Sequence, residues 1–253
     1  MTARIRITSL GLATPPYSAS QAEALSAFGW KGLRAKGIFA NTGIDRRYSW
    51  VDPNRFAQGM SWQQLTEEYE AGARSLGVHA SSLALDGISP KEIGLIAFAS
   101  VTGYTCPSMS YPIAAALGLP ANVVHADLLG MGCQAGLPAV ERARDFVTVH
   151  PERSALALSV EICSATWFPA EEDDREYVIS SAIFGDGASA AIVAMSEDKR
   201  YPALVDFESF YDPRYLDLLG YKWEDGRLKV VLSREVPRIV PPLIRAVVDR
   251  ILS

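Results

Sequence analysis

Cys133 is the residue whose neighbours best equip it for chemistry. It stands in Leu128-Leu129-Gly130-Met131-Gly132-Cys133-Gln134-Ala135-Gly136, after an apolar segment, Asn122 to Leu129, and before a helical pattern containing Glu141-Arg142-Ala143-Arg144-Asp145-Phe146. That order sets a thiol at a glycine-flanked strand-to-helix turn. The first N–H groups of a helix have no intrahelical acceptor, so they favour an anion and can lower a thiol's pKa. The spacing predicts a thiolate nucleophile suited to acyl transfer. The competing reading is a small core residue, the usual fate of a free cysteine.

A thiolate doing acyl chemistry needs acid–base help, and the three histidines are poorly placed to give it. His79 falls late in an amphipathic helical pattern, and His150 precedes Pro151 in a surface turn. His125 lies eight residues before Cys133 on the leading strand, out of reach unless the chain doubles back, and reads as a packed core histidine. Cys106, Cys133 and Cys163 are too widely spaced for a disulfide framework or a metal site, so a reduced cytoplasmic setting and no metal are expected. Cys163 closes an apolar strand and reads as packing.

The elements that must hold these residues can be read from periodicity. Arg4 to Ala13 alternates like a strand, Ser20 to Phe39 reads as a helix capped by Ser20, and Ser61 opens a long helix with Trp62, Leu65, Tyr69, Ala73 and Leu76 on one face. Ile93 to Ala99, Val123 to Leu129 and Ala155 to Ile162 are apolar runs expected of strands buried on both faces, with a short helix at Tyr111 to Leu117. Residues 171–182, charged and then small, lead to a Gly-rich turn and strand at Ile183 to Val193. This pattern predicts an α/β layered domain over residues 1–195. Residues 196–253 then begin a second half, with strands in Lys199 to Leu232 and a helix from Val236 to Leu252, and are expected to leave it truncated.

Composition narrows the function classes. The 253 residues are 49% hydrophobic and 21% charged, enough for a sizeable soluble core, with mean hydropathy +0.08. A net charge of −5 argues against nucleic acid. No apolar run is long enough to span a bilayer, and the N-terminus lacks the apolar stretch of a signal peptide.

Several segments together carry a resemblance. Thr102-Gly103-Tyr104-Thr105-Cys106-Pro107 looks like a Thr-Gly-x-x-x-Pro loop, and Gly132-Cys133-Gln134-Ala135-Gly136 like a Gly-Cys-x-x-Gly nucleophile turn. Glu161-Ile162-Cys163-Ser164-Ala165-Thr166, Phe184-Gly185-Asp186-Gly187-Ala188 and Leu228 to Pro237 complete the set. In this order they resemble the type III polyketide synthases of the thiolase superfamily, in particular the bacterial branch that forms alkylresorcinols and alkylpyrones. The neighbouring β-ketoacyl-carrier-protein synthase III and hydroxymethylglutaryl-CoA synthase branches fit the Glu-x-Cys-Ser-x-Thr segment less well.

The resemblance implies a layered α/β/α thiolase-like fold, complete in its N-terminal half, and an acyltransferase that condenses an acyl-CoA starter with malonyl-CoA. It implies no organic cofactor. Cys133 matches the acyl-thioester nucleophile, with Thr102 in the pocket loop. Phe184 matches a phenylalanine lining the cavity, though plain core packing would also suit it. A second cavity phenylalanine aligns near Val230, a change consistent with a roomier gate for an aliphatic starter. Cys106 falls where the family reaches across a dimer interface into the neighbour's pocket. Lys31, Arg34 and Lys36 fall on the helix that contacts CoA phosphates, and only Arg34 lines up well; a solvated basic face is the alternative. The family's histidine and asparagine have no counterpart in these residues. The expectation is therefore either a synthase half that works with a partner chain, a non-catalytic acyl-CoA-binding or heterodimer subunit, or a fragment.

Overall fold

A computed structural model of the chain describes residues 3–168, 174–224 and 227–253. Arg4–Ala13 forms β1 and Tyr17–Ser20 forms β2. The helix expected over Ser20 to Phe39 is instead two short ones, α1 (Gln21–Ala27) and α2 (Leu33–Ala40). Ser20 does cap α1, in a capping box with Glu23. The break comes at Gly29, whose φ of +74° costs glycine little. Phe28 and Trp30, on either side of it, stack with centroids 4.6 Å apart. β3 (Arg46–Ser49) pairs antiparallel with β2, a ribbon that Arg46-Arg47-Tyr48-Ser49 does not announce because it lacks apolar alternation.

α3 (Trp62–Ala84) is capped by Ser61 as expected. There follow β4 (Ile93–Ser100), α4 (Ser110–Leu117), β5 (Val124–Leu129), α5 (Gly136–Val149) and β6 (Ser154–Glu161). α6 (Arg175–Ile183) occupies much of the charged-to-small segment, whose residues 171–173 lie outside the described ones. β7 (Gly187–Ser196) comes next. Within Lys199 to Leu232 the strands are confined to β8 (Leu219–Glu224) and β9 (Arg227–Leu232), an antiparallel pair, and α7 (Val236–Leu252) follows.

The main sheet has the order β1-β7-β6-β4-β5. β6, β4 and β5 run parallel, while β7 is antiparallel to both β6 and β1. Period-two alternation divides its side chains between two helical layers. Ile96, Phe98, Leu156, Leu158 and Val160 share one cluster with Tyr69, Ala73, Leu76 and Ala80 of α3. Leu95, Ala97, Ala99, Ala155 and Ala157 share another with Ala139, Ala143 and Val147 of α5. The small residues on the second face let α5 approach the sheet closely. On the first, a Cβ on Gly11 would lie 2.0 Å from the Ala80 carbonyl oxygen, so only glycine fits where β1 meets α3.

β4 is buried at every position, as expected of a central strand. β5 is not. It is the sheet edge, with no fully buried residue, and its polar His125 and Asp127 suit that position better than the apolar reading did. A second, aromatic cluster gathers Phe28, Trp30, Phe39, Phe56, Trp167 and Tyr177. α7 has no buried residue, and Val240, Ile244, Val248 and Ile251 leave an apolar stripe exposed. Among the described residues no helix is long and apolar enough to cross a membrane.

Candidate active site

Three parallel neighbours, β5, β4 and β6, end at the same edge of the sheet, the edge where open α/β sheets hold their ligands. β5 leads into the Cys133 turn, β4 into Val101 and Thr102, and β6 ends on Glu161. β7 runs the other way and begins there, with Gly187 paired to Glu161, so Asp186 joins the same edge. The topology thus collects four segments that are far apart in sequence.

Gly130 and Gly132 have φ of +75° and +68°, left-handed values that bend the chain out of β5. A 3-10 turn, Gly132–Gln134, carries Cys133, and α5 starts only at Gly136. Cys133 is solvent-exposed. The expected lowering of its thiol pKa is not found. The thiol is pushed up, first by the partial shielding of its sulfur and then by the charge of Glu161, against one local backbone hydrogen bond that lowers it. The 3-10 turn stands between the sulfur and the first turn of α5, so the helix terminus is not the dominant influence.

Glu161 sits at the centre of this edge. Its carboxylate accepts from the Val101 and Thr102 N–H groups, each at 3.1 Å, and from Thr102 Oγ1 at 2.8 Å. Thr102 Oγ1 in turn accepts from Ile162 N–H at 2.8 Å. Burial outweighs these donors and pushes the Glu161 carboxyl up to about 7. Glu161 belongs to the Glu-x-Cys-Ser-x-Thr segment but carries no site role among the sequence expectations. The signal was available, a carboxylate closing the apolar run Ala155-Leu156-Ala157-Leu158-Ser159-Val160 at a strand's C-terminal end.

Phe184 and Val230, expected at the pocket from separate segments, do line one cavity, together with Thr166, Trp167, Tyr221 and Leu228 among others. Its free space is about 10 Å³, room for one water molecule. Tyr221, which sequence reasoning does not single out, hydrogen-bonds Thr166, and burial pushes its hydroxyl up. Thr102 is buried and held in the Glu161 network. Cys106 is exposed on the loop after β4. Cys163 is buried, as expected of packing.

Lys31 precedes α2 rather than lying on it, while Arg34 and Lys36 are exposed on α2, two residues apart and so facing different ways. His125 is half-buried at the sheet edge rather than in the core. Its Nδ1 lies 2.9 Å from Ser110 Oγ and its ring stacks on Tyr111 at 4.0 Å.

Two further residues brace the site. The turn Phe184-Gly185-Asp186-Gly187 is structural, as expected of a glycine-rich turn followed by a strand. Asp186 accepts from Trp50 N–H at 2.6 Å, from Ser164 N–H at 2.9 Å and from Ser164 Oγ. Burial still pushes its carboxyl up to about 6. Arg47, on β3, is buried between the Phe39 and Trp167 rings and donates to the Ser181 and Phe184 carbonyls. Desolvation lowers it to about 10. Two consecutive arginines in a polar stretch gave no hint that one is interior. Among the described residues no group of three His, Cys, Asp or Glu side chains is placed to hold a metal ion.

Comparison with known proteins follows the same lines. Residues 36–241 match the family described as FAE1/Type III polyketide synthase-like protein. The 3,5-dihydroxyphenylacetyl-CoA synthase of Streptomyces toyocaensis is 30% identical, over 99% of this chain and 67% of that protein. The phloroglucinol synthase of Pseudomonas fluorescens is 26% identical, over 80% of this chain and 58% of its own length. Among solved structures, a type III pentaketide synthase from Neurospora crassa superimposes with a TM-score of 0.86 at 25% identity, covering 98% of this chain and 72% of that one.

Proposed function

The chain belongs to the FAE1/type III polyketide synthase-like family, and from that premise we propose that Cys133 carries the acyl thioester in a polyketide-forming condensation of an acyl-CoA starter with malonyl-CoA. The observation that carries this reading is the position of Cys133, solvent-accessible on a glycine turn at the edge where three parallel strands end. A thiol is the suitable nucleophile because the acyl group must load readily and then yield to a carbon nucleophile.

The reaction also needs donors for the thioester carbonyl and for the enolate left by decarboxylation. The charge acting on Cys133 is that of Glu161, and His125 is engaged with Ser110 and Tyr111. The histidine and asparagine implied by the family resemblance would supply those donors, and in this scheme they come from a partner chain in a dimeric or heteromeric assembly. Cys106 would face the neighbouring subunit, and Arg34 would meet the CoA phosphates. No organic cofactor or metal enters this scheme. The product would be of the alkylresorcinol or alkylpyrone kind, or an aromatic like that made by the relatives whose names specify one.

The test is to incubate the chain with acyl-CoA and labelled malonyl-CoA, alone and with a chain supplying the remaining groups. Intact-mass measurement should find the starter acyl group on Cys133, and product should form only in the assembled system. Acyl-CoA binding without any Cys133 adduct or product would favour a non-catalytic binding subunit.

A further inference from the structure

We propose that residues 205–211 are an acceptor strand, to which a partner polypeptide adds a β-strand of alternating apolar and basic residues. The stretch reads Val205-Asp206-Phe207-Glu208-Ser209-Phe210-Tyr211 and opens on the alternation of a half-buried strand. The chain reaches it from the outer edge of β1, where Ile7 N–H donates to the Pro202 carbonyl at 3.1 Å and Leu204 N–H to the Ile5 carbonyl at 3.0 Å. There the pairing stops. Among the described residues, no main-chain group of 205–211 bonds to another main-chain group. A strand-forming sequence is thus left with its N–H and C=O groups unpaired by any neighbouring strand, the condition in which sheet edges accept a further one.

The stretch is held in place before any partner arrives. Arg144 of α5 lies over the Phe207 ring, 4.7 Å from its centroid. Arg250 of α7 donates to the Ser209 carbonyl at 3.1 Å and pairs with Glu208 at 3.0 Å. Such anchoring lowers the entropic cost of adding a strand. Apolar surface continues on both sides. Val205 lines a groove of about 520 Å³ with Ile5, Val147, Met195 and Leu204 among others. At the other end, Arg250 joins the stretch to α7 and its exposed stripe of Val240, Ile244, Val248 and Ile251.

Charge decides the occupant. A second copy of the same stretch fits badly, because antiparallel pairing about Phe207 sets Asp206 against Glu208, and pairing about Ser209 sets Asp206 against Asp212. Like charges directly opposite destabilise a sheet. Glu208 already has Arg250, whereas among the described residues no ion pair includes Asp206. A basic side chain opposite Asp206, with apolar ones opposite Val205 and Phe207, matches what the stretch offers.

This surface takes its meaning from the partner chain in the scheme above. Its test contains no substrate, so failure of strand addition and failure of Cys133 acylation are separable. The full chain is extended after Ser253, close to Arg250, by a flexible Gly/Ser linker and a short strand of alternating valine and lysine, which the tether presents at about millimolar effective concentration. Hydrogen exchange read by mass spectrometry should find 205–211 among the fastest amides of the unextended chain. The valine-lysine tether should slow them about tenfold. Proline in place of each valine prevents a strand and should leave them fast. Glutamate in place of each lysine should protect them less than lysine does. The amides of β4 and β6, protected in every version, report an intact fold. Slow exchange at 205–211 in the unextended chain, or exchange that slows as its concentration rises, would overturn the proposal. So would no protection by the valine-lysine tether, or equal protection by the proline or glutamate one.

Discussion

Thr102 Oγ1 donates to Glu161 at 2.8 Å and accepts from Ile162 N–H at 2.8 Å, so one hydroxyl joins the end of β4 to the end of β6. Both strands deliver residues to the Cys133 edge, and this pair fixes their relative position. Thr102→Val keeps the shape but leaves the buried Ile162 N–H without its acceptor and Glu161 short of a donor. The expected cost is about 1 to 3 kcal/mol, because an orphaned buried donor loses its hydration without replacement. Urea unfolding should show a lower midpoint with an unchanged slope, and Thr102→Ser should recover most of the loss.

The two buried carboxyls set a pH dependence of stability. Glu161 and Asp186 are pushed up to about 7 and about 6 in the fold. Unfolded, they titrate near the ordinary carboxyl values of about 4. Between these limits the folded chain binds more protons than the unfolded one, so their contribution is fully present below about pH 4 and is lost as pH rises toward about 7. The effect is on the order of 3 to 4 kcal/mol per group. Denaturant midpoints measured at pH 5 and pH 8 should therefore favour pH 5, and Glu161→Gln should flatten the difference. A steeper dependence in that variant would contradict the assignment.

Much of this edge was legible because its parts follow local rules. Gly130 and Gly132 announced a turn, and the apolar runs of β4 and β6 announced central strands. Phe184 and Val230 could be placed at one cavity only through the family resemblance, since nothing local connects α6 with β9. The thiol's electrostatics were misread for a related reason. Helix-terminus reasoning uses only residues near Cys133 in sequence, whereas Glu161 comes from a strand that pairs two places away in the sheet. Arg47 was invisible because its burial depends on Phe39, Trp167 and the α6 carbonyls together. One continuous helix from Ser20 to Phe39 is interrupted at the left-handed Gly29, whose neighbours Phe28 and Trp30 join the aromatic cluster.

Arg47 ties that aromatic cluster to the last turn of α6. Arg47→Met should retain much of the packing while leaving the Ser181 and Phe184 carbonyls unpaired, and Arg47→Ala should open a cavity as well. The expected losses are about 2 and about 4 kcal/mol, since breaking a buried charged network is among the costliest single changes. Tryptophan fluorescence during thermal unfolding checks this, because Trp30 and Trp167 share the cluster.

Arg34 and Lys36 separate a specific phosphate contact from a solvated basic face. They are two residues apart on α2 and point in different directions. If α2 meets CoA through Arg34, Arg34→Ala should raise the dissociation constant for CoA about fivefold to tenfold, in keeping with loss of one charge-assisted contact. Lys36→Ala should change it less than twofold. Equal effects, or none, measured by calorimetry would return this helix to the bland reading.

Val230 and Tyr221 face the same cavity, whose free volume of about 10 Å³ leaves it nearly closed. If a starter acyl chain enters here, side chains must yield, and Tyr221, tethered to Thr166, is one of the bulky groups in the way, with Trp167, Tyr177 and Phe184. Tyr221→Ala should enlarge the cavity and shift the accepted starters toward longer chains in the assembled enzyme. It should also cost about 3 kcal/mol, because a mostly buried ring is lost. Val230→Phe should act in the opposite sense, excluding long starters while costing about 1 to 3 kcal/mol through overpacking. Competition between short and long acyl-CoA starters, read as the ratio of kcat/KM values, measures both. If the two substitutions moved that ratio in the same direction, the cavity would not be the gate for the acyl chain.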